Sequence, residues 1–372
     1  MRSTGRLSKT SGESGNTPAP NDAPLTAFDR TALERWLATE EIPPYRCGQI
    51  LRWTYQRGAT SYEQMTDLPA ALRQELASRV PLHVPELEER LVSALDGTRR
   101  YLWRLSDGVT VESVGLPAGD RLTVCFSTQA GCAMGCAFCA TGEGGFVRDL
   151  GPGEMAQQVM LVGADFGQRV TNAVAMGQGE PFAAYEASLG GLRLMNDPDA
   201  LGIGARHLTI STCGIIGGID RLASEPEQFT LAVSLHSARQ ATRDRLVPAM
   251  RNQSLPRLRE ALVRYTGKTG RRPSLEYALV AGVNDSPDEL DALVEFCRGL
   301  LCHVNLIPVN PSTNVPFDRP PLDRAKEFVI ELQRSGTEVS IRSERGSDIE
   351  AACGQLTQRH ASSSGRGAAP SA

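Results

Sequence analysis

Val124-Cys-Phe-Ser-Thr-Gln-Ala-Gly-Cys-Ala-Met-Gly-Cys-Ala-Phe-Cys139 is the stretch from which the fold can be inferred. Cys132, Cys136 and Cys139 form a C-x3-C-x2-C motif, which is too tight for antiparallel disulfides and one ligand short of a closed four-sulfur zinc site. Three thiolates on one loop suit a [4Fe–4S] cluster that leaves one iron open to a small molecule. A fourth ligand elsewhere, completing a structural zinc site or a closed iron–sulfur site, is the alternative.

The composition limits the class of protein. With 372 residues the chain can form one large domain, or one large and one small. The formal net charge of −4 means that a nucleic-acid partner would need a local basic patch. No run resembles a membrane span or a secretory signal, and nine cysteines without disulfide-framework spacing indicate a reducing compartment. We therefore predict a cytoplasmic protein with no membrane partner.

The chain divides into five segments. Residues 1–25 and 358–372 are rich in Ser, Gly and Pro and are predicted to be disordered tails. Apolar residues at helical spacing predict an accessory helical domain over 26–90, and alternation with Asp-Gly turns predicts a β-hairpin module over 91–120. From 121 to 357, apolar strands alternate with amphipathic helices. Such repeated units predict a parallel sheet, open or closed into a barrel, with its catalytic face at the strand ends.

Polar motifs follow several of these strands. They are Gly177-Gln-Gly-Glu-Pro181, Ser211-Thr-Cys-Gly214, Ser234-Leu-His236 and Asn310. Each alone is explained as well by a tight turn, by capping or by a structural histidine. Four such sites in register with a cysteine loop favour a ligand site.

Two further cysteines have distinctive surroundings. Cys125 lies in an apolar strand, where a buried inert thiol is the default interpretation. Cys353 follows Ala351 and Ala352 and precedes Gly354, so a bulky partner could reach its thiol. Packing roles are predicted for the remaining four, which are Cys47, Cys213, Cys297 and Cys302.

Several motifs together resemble the RlmN/Cfr family of radical S-adenosylmethionine (SAM) RNA methyltransferases. They span about Tyr45 to Leu356 and include Tyr45-Arg-Cys-Gly48, Asp96-Gly-Thr-Arg99, Glu112-Ser-Val114, Phe138-Cys-Ala-Thr141, Gly179-Glu-Pro181, Ser234-Leu-His236 and Ala352-Cys-Gly-Gln-Leu356. Gln178, Ser237 and Val309 depart from the family pattern. The resemblance implies an α/β fold, a partial (βα)6 TIM-like barrel with a small N-terminal helical domain and a short β-hairpin module.

The resemblance also implies residue roles. The cluster would be bound by Cys132, Cys136 and Cys139, and SAM by Gly179, Glu180, Ser211, Ser234, Leu235, His236 and Asn310. Cys353 would carry the transferred methyl, Cys125 would be its disulfide partner, and Glu112 would accept a proton.

The implied reaction is methylation of adenine C2 in 23S rRNA and in certain tRNAs, with two SAM molecules per turnover. Because an amidine carbon of adenine is not nucleophilic, transfer requires a radical route. A flavodoxin-like electron donor, a monomeric state and RNA contacts by N-terminal arginines are further expectations. The alternatives are the C8-methylating branch, which confers antibiotic resistance, and a non-catalytic iron–sulfur RNA-binding protein.

Overall fold

The computed structural model describes residues 23–309 and 317–356. Its α-helices are α1 (Arg30–Thr39), α2 (Tyr45–Leu51), α3 (Ala70–Arg79), α4 (Pro152–Phe166), α5 (Tyr185–Asn196), α6 (Ile216–Leu222), α7 (Gln240–Leu246), α8 (Leu255–Thr269), α9 (Pro287–Cys297) and α10 (Leu322–Arg334). Its strands are β1 (Glu86–Val92), β2 (Arg99–Arg104), β3 (Thr110–Ala118), β4 (Arg121–Cys125), β5 (Gln129–Gly131), β6 (Phe146–Asp149), β7 (Asn172–Ala175), β8 (Leu208–Thr212), β9 (Thr230–Ser234), β10 (Ser274–Leu279), β11 (His303–Pro308) and β12 (Glu338–Ile341).

Ten strands form one sheet in the order β1-β2-β3-β4-β7-β8-β9-β10-β11-β12. From β4 onward in this order, every pair of neighbouring strands is parallel, and helices connect these strands. The strands β5 and β6 form a separate antiparallel pair. Within the described residues β1 and β12 are the two ends of the sheet and do not pair with each other. The predicted α/β fold with a partial barrel is therefore confirmed, with β12 following the sixth βα unit.

Helices cover one face of the sheet, and apolar side chains of the inner strands are buried against them. Leu275 and Tyr277 on β10, Leu306 on β11 and Phe328 on α10 have no exposed surface. Residues that alternate with these, such as Glu276 and Ala278 on β10, line a cavity on the other face. The carboxyl ends of these strands lie at one edge, so the loops that follow them meet there.

The N-terminal unit packs directly onto the barrel. Arg30 and Arg52 each form an ion pair with Asp199, at 2.6 Å, in the loop after α5. Gly153 on α4 approaches the backbone of Thr26 so closely that an added Cβ would lie 2.6 Å from its Cα. Ala23 and Leu25 are buried, so the packed part of the chain includes residues of the predicted 1–25 tail. Residues 1–22 and 357–372 lie outside the described part.

The predicted hairpin module is part of the main sheet. The antiparallel strands β1, β2 and β3 form a meander, and β3 pairs with β4. Its first strand, Glu86–Val92, begins inside the segment assigned to the helical domain. Pairing with β2 determines its conformation, despite its four charged residues and their weak intrinsic β-propensity. In the described ranges, no helix has both the length and the apolar character needed to cross a membrane.

Candidate active site

The cysteine loop leaves β4 at Cys125 and is held by backbone hydrogen bonds. The short β5–β6 pair supports its start, where the Cys132 amide donates to the Gly145 carbonyl at 2.8 Å. At its end the Cys139 amide donates to the Cys136 carbonyl at 3.0 Å. Burial raises the pKa of the Cys132 thiol to about 12 and also raises the pKa of Cys139. A bound cation would favour their deprotonation.

All three cysteines line one cavity of about 150 Å³, which we call the inner cavity. Over residues 23–309 and 317–356, no three His, Cys, Asp or Glu side chains are grouped closely enough to hold a single metal ion. A four-iron cluster is larger than one ion, so its ligands stand further apart. Three thiols on one loop, facing a common cavity, fit such a cluster with one iron left for another ligand.

The turn after β7 brings a buried carboxylate to the inner cavity. Gly179 has φ +107°, and an added Cβ would lie 2.7 Å from atoms of Gln129 and Thr128, so only glycine fits there. Glu180 is 1% exposed and accepts from the Cys213 amide at 2.6 Å and the Phe182 amide at 3.0 Å. Burial raises its pKa. Glu180 is thus a fixed acceptor facing the cavity.

His236 follows β9 and also faces the inner cavity. Its Nδ1 accepts from the Ala278 amide at 3.0 Å, and its ring packs edge-on against Phe138 with centroids 4.5 Å apart. Burial, with a smaller effect of Arg243, lowers its pKa to about 3. The ring is therefore neutral at physiological pH and carries its proton on Nε2, which can donate to a ligand.

The remaining predicted SAM residues differ in position. Ser211 and Ser234 line the inner cavity. Leu235 does not: its side chain is fully buried in the core, its amide donates to the backbone carbonyl of Glu276 and its own carbonyl accepts from Arg243. Asn310 lies outside the described residues.

The structure adds two residues that the sequence did not single out. Arg243, 1% exposed, donates to the carbonyls of Ser234, Leu235 and Cys213 at 2.8, 2.5 and 2.6 Å, so it ties together the ends of β8 and β9. Cys213 lies with its Sγ 3.9 Å from Sγ of Cys136. On an amphipathic helix Arg243 resembles a solvent-facing residue, and nothing in its spacing marks it as buried.

Cys353 lies between the inner cavity and a second one of about 270 Å³, which we call the outer cavity. Both are lined by Met176, Ile307, Arg342, Cys353 and Gly354. Cys353 is exposed, and the Ala140 amide donates to the Gly354 carbonyl at 2.8 Å, which joins its loop to the cysteine loop. Gly354 has φ +83°, and an added Cβ would lie 3.1 Å from the Phe138 carbonyl oxygen.

Cys125 lines the outer cavity together with Cys353. It is 8% exposed, and burial, with a smaller effect of Cys353, raises its pKa to about 12. Arg342 borders both cavities, and its guanidinium is close enough to Cys353 and Cys125 to interact with both electrostatically. The arrangement places one exposed and one buried thiol beside a shared cation.

Glu112 does not line either cavity. It is 1% exposed and its Oε1 accepts from Nη2 of Arg100 at 2.5 Å. Glu112 lies on β3, two positions before Val114, and Val114 pairs with Cys125 and lines the outer cavity. The predicted proton acceptor is therefore next to the site but turned toward Arg100.

Comparison with known families gives two matches. Residues 23–82 match the "Ribosomal RNA large subunit methyltransferase N-terminal domain" model, and residues 126–297 match the Radical SAM superfamily model. The first covers the N-terminal helical unit, and the second covers the cysteine loop and the barrel through α9. The fold packs these two units against each other through Asp199 and α4, and the inner cavity is lined from the cysteine loop and the barrel.

Curated proteins and a solved structure are similar over nearly the whole chain. A probable dual-specificity RNA methyltransferase RlmN of Synechococcus elongatus is 44% identical over 90% of this chain and 93% of its own. The corresponding protein of Moorella thermoacetica is 46% identical over 84% of this chain and 91% of its own. A crystal structure of a radical SAM methyltransferase from Sphaerobacter thermophilus superposes with a TM-score of 0.85 at 44% identity, covering 91% of this chain and 100% of that one. The chain belongs to the RlmN family of radical SAM RNA methyltransferases.

Proposed function

We propose that this enzyme methylates C2 of a specific adenosine in 23S rRNA and of the adenosine 3′ of the anticodon in certain tRNAs, with Cys353 as the methyl carrier. The relatives' description as dual-specificity RNA methyltransferases supports the two RNA classes. The observation that carries the proposal is the position of Cys353 in the wall shared by the two cavities. One thiol can thus face a methyl donor on one side and a target base on the other.

Membership in the radical SAM superfamily implies a [4Fe–4S] cluster and SAM. Cys132, Cys136 and Cys139 would hold the cluster, which when bound supplies the electron for reductive cleavage of SAM. We propose two SAM molecules per turnover, one as the methyl donor and one for that cleavage, with the electron coming from a flavodoxin-like donor. Glu180, Ser211, Ser234 and His236 offer acceptors and donors around the inner cavity, and Gly179 gives room for close approach. Leu235 and Asn310 stay proposed on the family resemblance.

The two thiols differ in a way that suits two roles. Cys353 is exposed, so a donor can reach it. Cys125 is buried with a pKa of about 12, so it stays protonated near neutral pH and does not compete as a methyl acceptor. After the methylene carbon has joined the base, Cys125 would lose its proton and its sulfur would attack the sulfur of Cys353. The carbon–sulfur bond breaks, the carbon keeps the electron pair and takes a proton to become the methyl group, and the two cysteines are left as a disulfide. Arg342 beside both sulfurs would stabilise whichever one carries negative charge.

Glu112 stays the proposed proton acceptor on the family resemblance. Its carboxylate is held by Arg100, which also donates to the carbonyls of Ile349 at 3.2 Å and Glu350 at 3.3 Å. These residues belong to the segment that leads to Cys353. For Glu112 to take a proton from a base in the outer cavity, this contact would have to open. Movement of the Cys353 segment would thereby release the Glu112 carboxylate from Arg100.

The N-terminal unit is the proposed RNA interface. The arginines expected to contact RNA fall into two groups, and they are Arg46, Arg52, Arg57, Arg73 and Arg79. Arg52 and Arg79 form ion pairs with Asp199 and with Glu40 and Glu75. Arg46, Arg57 and Arg73 have no carboxylate within ion-pair distance in the described part of the chain. Arg46 and Arg57 stack on the rings of Tyr45 and Trp53, and Tyr45 is 61% exposed. Arginines without a carboxylate partner beside an exposed aromatic ring, such as Arg46 beside Tyr45, suit contacts with phosphates and unstacked bases.

The deciding experiment is mass spectrometry of nucleosides from RNA of cells with and without this protein. We expect 2-methyladenosine to disappear from both 23S rRNA and tRNA when the protein is absent. Loss of 8-methyladenosine instead would assign the chain to the C8-methylating branch. Unchanged methyladenosine, together with failure of the reduced, cluster-loaded protein to release 5′-deoxyadenosine from SAM, would identify a non-catalytic RNA-binding protein. Sedimentation of the purified enzyme tests the proposed monomer.

A further inference from the structure

Cys213 is a thiol that the proposed reaction does not use, yet it lies beside a cluster ligand. It follows β8, and its Sγ is 3.9 Å from Sγ of Cys136, within the range of a hydrogen bond between sulfurs. It also lines the inner cavity. The sequence alone predicts a packing role for Cys213. The contact with Cys136 depends on how the end of β8 meets the cysteine loop.

The backbone of Cys213 is fixed on both sides. Its amide donates to Oε2 of Glu180 at 2.6 Å, and its carbonyl accepts from the buried Arg243 at 2.6 Å. The position of its Cα is thereby determined by two buried ionisable side chains, which keep its thiol within reach of Cys136. The geometry needed for a specific contact is therefore built into the fold.

Apolar side chains make up much of the surroundings of the two sulfurs, and Arg243 also interacts with both electrostatically. Cys136 and Cys213 pack with Met134, Phe138 and Ile215 against buried Leu246, Val247 and Met250. In such a setting a weak hydrogen bond has a larger effect than it has in water, because the local dielectric constant is low. Hydrogen bonds to the cysteine sulfurs are among the factors that determine the reduction potential of an iron–sulfur cluster.

We propose that the Cys213 thiol donates an S–H···S hydrogen bond to the Cys136 sulfur and thereby raises the reduction potential of the cluster. The proposal rests on Cys136 being a cluster ligand. A donor hydrogen draws electron density from the ligand sulfur, and this stabilises the reduced cluster, which carries one more negative charge. Cys213 is accordingly a positioning and tuning residue and not a ligand.

The test is an EPR-monitored redox titration of the anaerobically reconstituted protein, with iron and sulfide measured in every sample. Cys213→Val removes the donor and fills its space, so that water cannot replace the thiol. We expect a full cluster in this variant and a midpoint potential shifted to more negative values. At a fixed potential, the ratio of reduced to oxidised cluster should fall about two- to fivefold, the range for a weak hydrogen bond. Cys213→Ser keeps a shorter donor and should lie between Cys213→Val and the unsubstituted protein.

Cys47→Ala, which changes a buried cysteine in the N-terminal unit, is the matched control and should leave the potential unchanged. A potential in Cys213→Val equal to that of the unsubstituted protein, with the cluster intact, would overturn the proposal. Loss of iron from Cys213→Val would also overturn the proposal, because Cys213 would then be a cluster ligand and not a hydrogen-bond donor. An unsubstituted protein that binds no cluster would refute the cluster assignment itself.

Discussion

Arg100 and Glu112 form an ion pair that is almost completely shielded from water, with 3% and 1% of their side chains exposed and 2.5 Å between Nη2 and Oε1. Arg100 also donates to two carbonyls in the segment before Cys353. One guanidinium thus connects a buried carboxylate on β3 to the loop that carries the proposed methyl acceptor. Buried pairs of this kind are costly to break because the remaining charge keeps its desolvation penalty.

Arg100→Met should therefore destabilise the fold by about 3–5 kcal/mol, since Glu112 would lose its buried cation. Replacing both partners, as in Arg100→Met with Glu112→Leu, should recover much of this loss because no charge is left buried. Arg264→Met, which breaks an exposed pair with Asp220, is the control and should leave the stability nearly unchanged, because water screens that pair. Urea unfolding of the three variants measures the differences. Equal losses for Arg100→Met and Arg264→Met would mean that the buried pair does not hold the fold.

Much of the barrel can be predicted from the sequence, because its strands are short apolar runs that alternate with amphipathic helices. The apolar runs Ser274–Leu279 and His303–Pro308, which the sequence predicts to be strands, are β10 and β11. The meeting of Glu180, Ser211, Ser234 and His236 was predictable for the same reason, since the carboxyl ends of parallel strands share one edge.

Contacts between distant elements could not be predicted in this way. The burial of Arg243 is determined by carbonyls at the ends of β8 and β9, and the distance from Cys213 to Cys136 depends on the path of the cysteine loop. β1 was missed because its charged residues disfavour a strand until β2 pairs with it. Local sequence carries no signal for any of these three features.

The division of the N-terminal arginines leads to a second prediction. Changing Arg46, Arg57 and Arg73 together to Gln should weaken RNA binding and reduce the salt dependence of the binding constant, by up to about one unit of slope per arginine. Changing the ion-paired Arg52 and Arg79 to Gln should have a smaller effect, because their charge is already neutralised. Fluorescence anisotropy with a tRNA at several salt concentrations measures both. Equal effects of the two sets of changes would place the RNA contact elsewhere on the protein.

The buried neutral His236 predicts a pH-dependent stability. Its pKa is about 3 in the folded protein and near 6.5 when unfolded, so below pH 6.5 only the unfolded state gains the proton. The stability contributed by neutral His236 is complete above pH 6.5 and declines as the pH falls toward 3. Between pH 7 and 5 the loss should be about 2 kcal/mol.

His236→Asn is the matched variant for this prediction. Asparagine tolerates the backbone φ of +57° at this position, and its side-chain oxygen can accept from the Ala278 amide in place of Nδ1. The variant should lose about 2 kcal/mol less than the unsubstituted protein between pH 7 and 5, as measured by urea unfolding at both values. If the free energy of unfolding falls by the same amount in both proteins, His236 takes up its proton in the folded state and the prediction is wrong.

The last prediction separates the two thiols by the order in which the proposed reaction uses them. Cys353→Ala removes the methyl acceptor, so neither a methylated protein nor a protein–RNA adduct should form. Cys125→Ala leaves Cys353 able to accept the methyl and join the base, but removes the thiol that releases the RNA. RNA should therefore accumulate covalently attached to Cys353.

Denaturing gels of protein purified from cells, with and without nuclease, distinguish these outcomes. Cys125→Ala should give a slower, nuclease-sensitive band that is absent from Cys353→Ala and from the double variant. Cys302→Ala is the control, because it also removes a buried thiol but one that lines neither cavity. A loss of stability from removing a buried thiol would affect both variants alike. Only Cys125 shares the outer cavity with Cys353, so an adduct in Cys125→Ala alone reports on that contact. Normal turnover by Cys125→Ala, without an adduct, would refute a two-thiol mechanism.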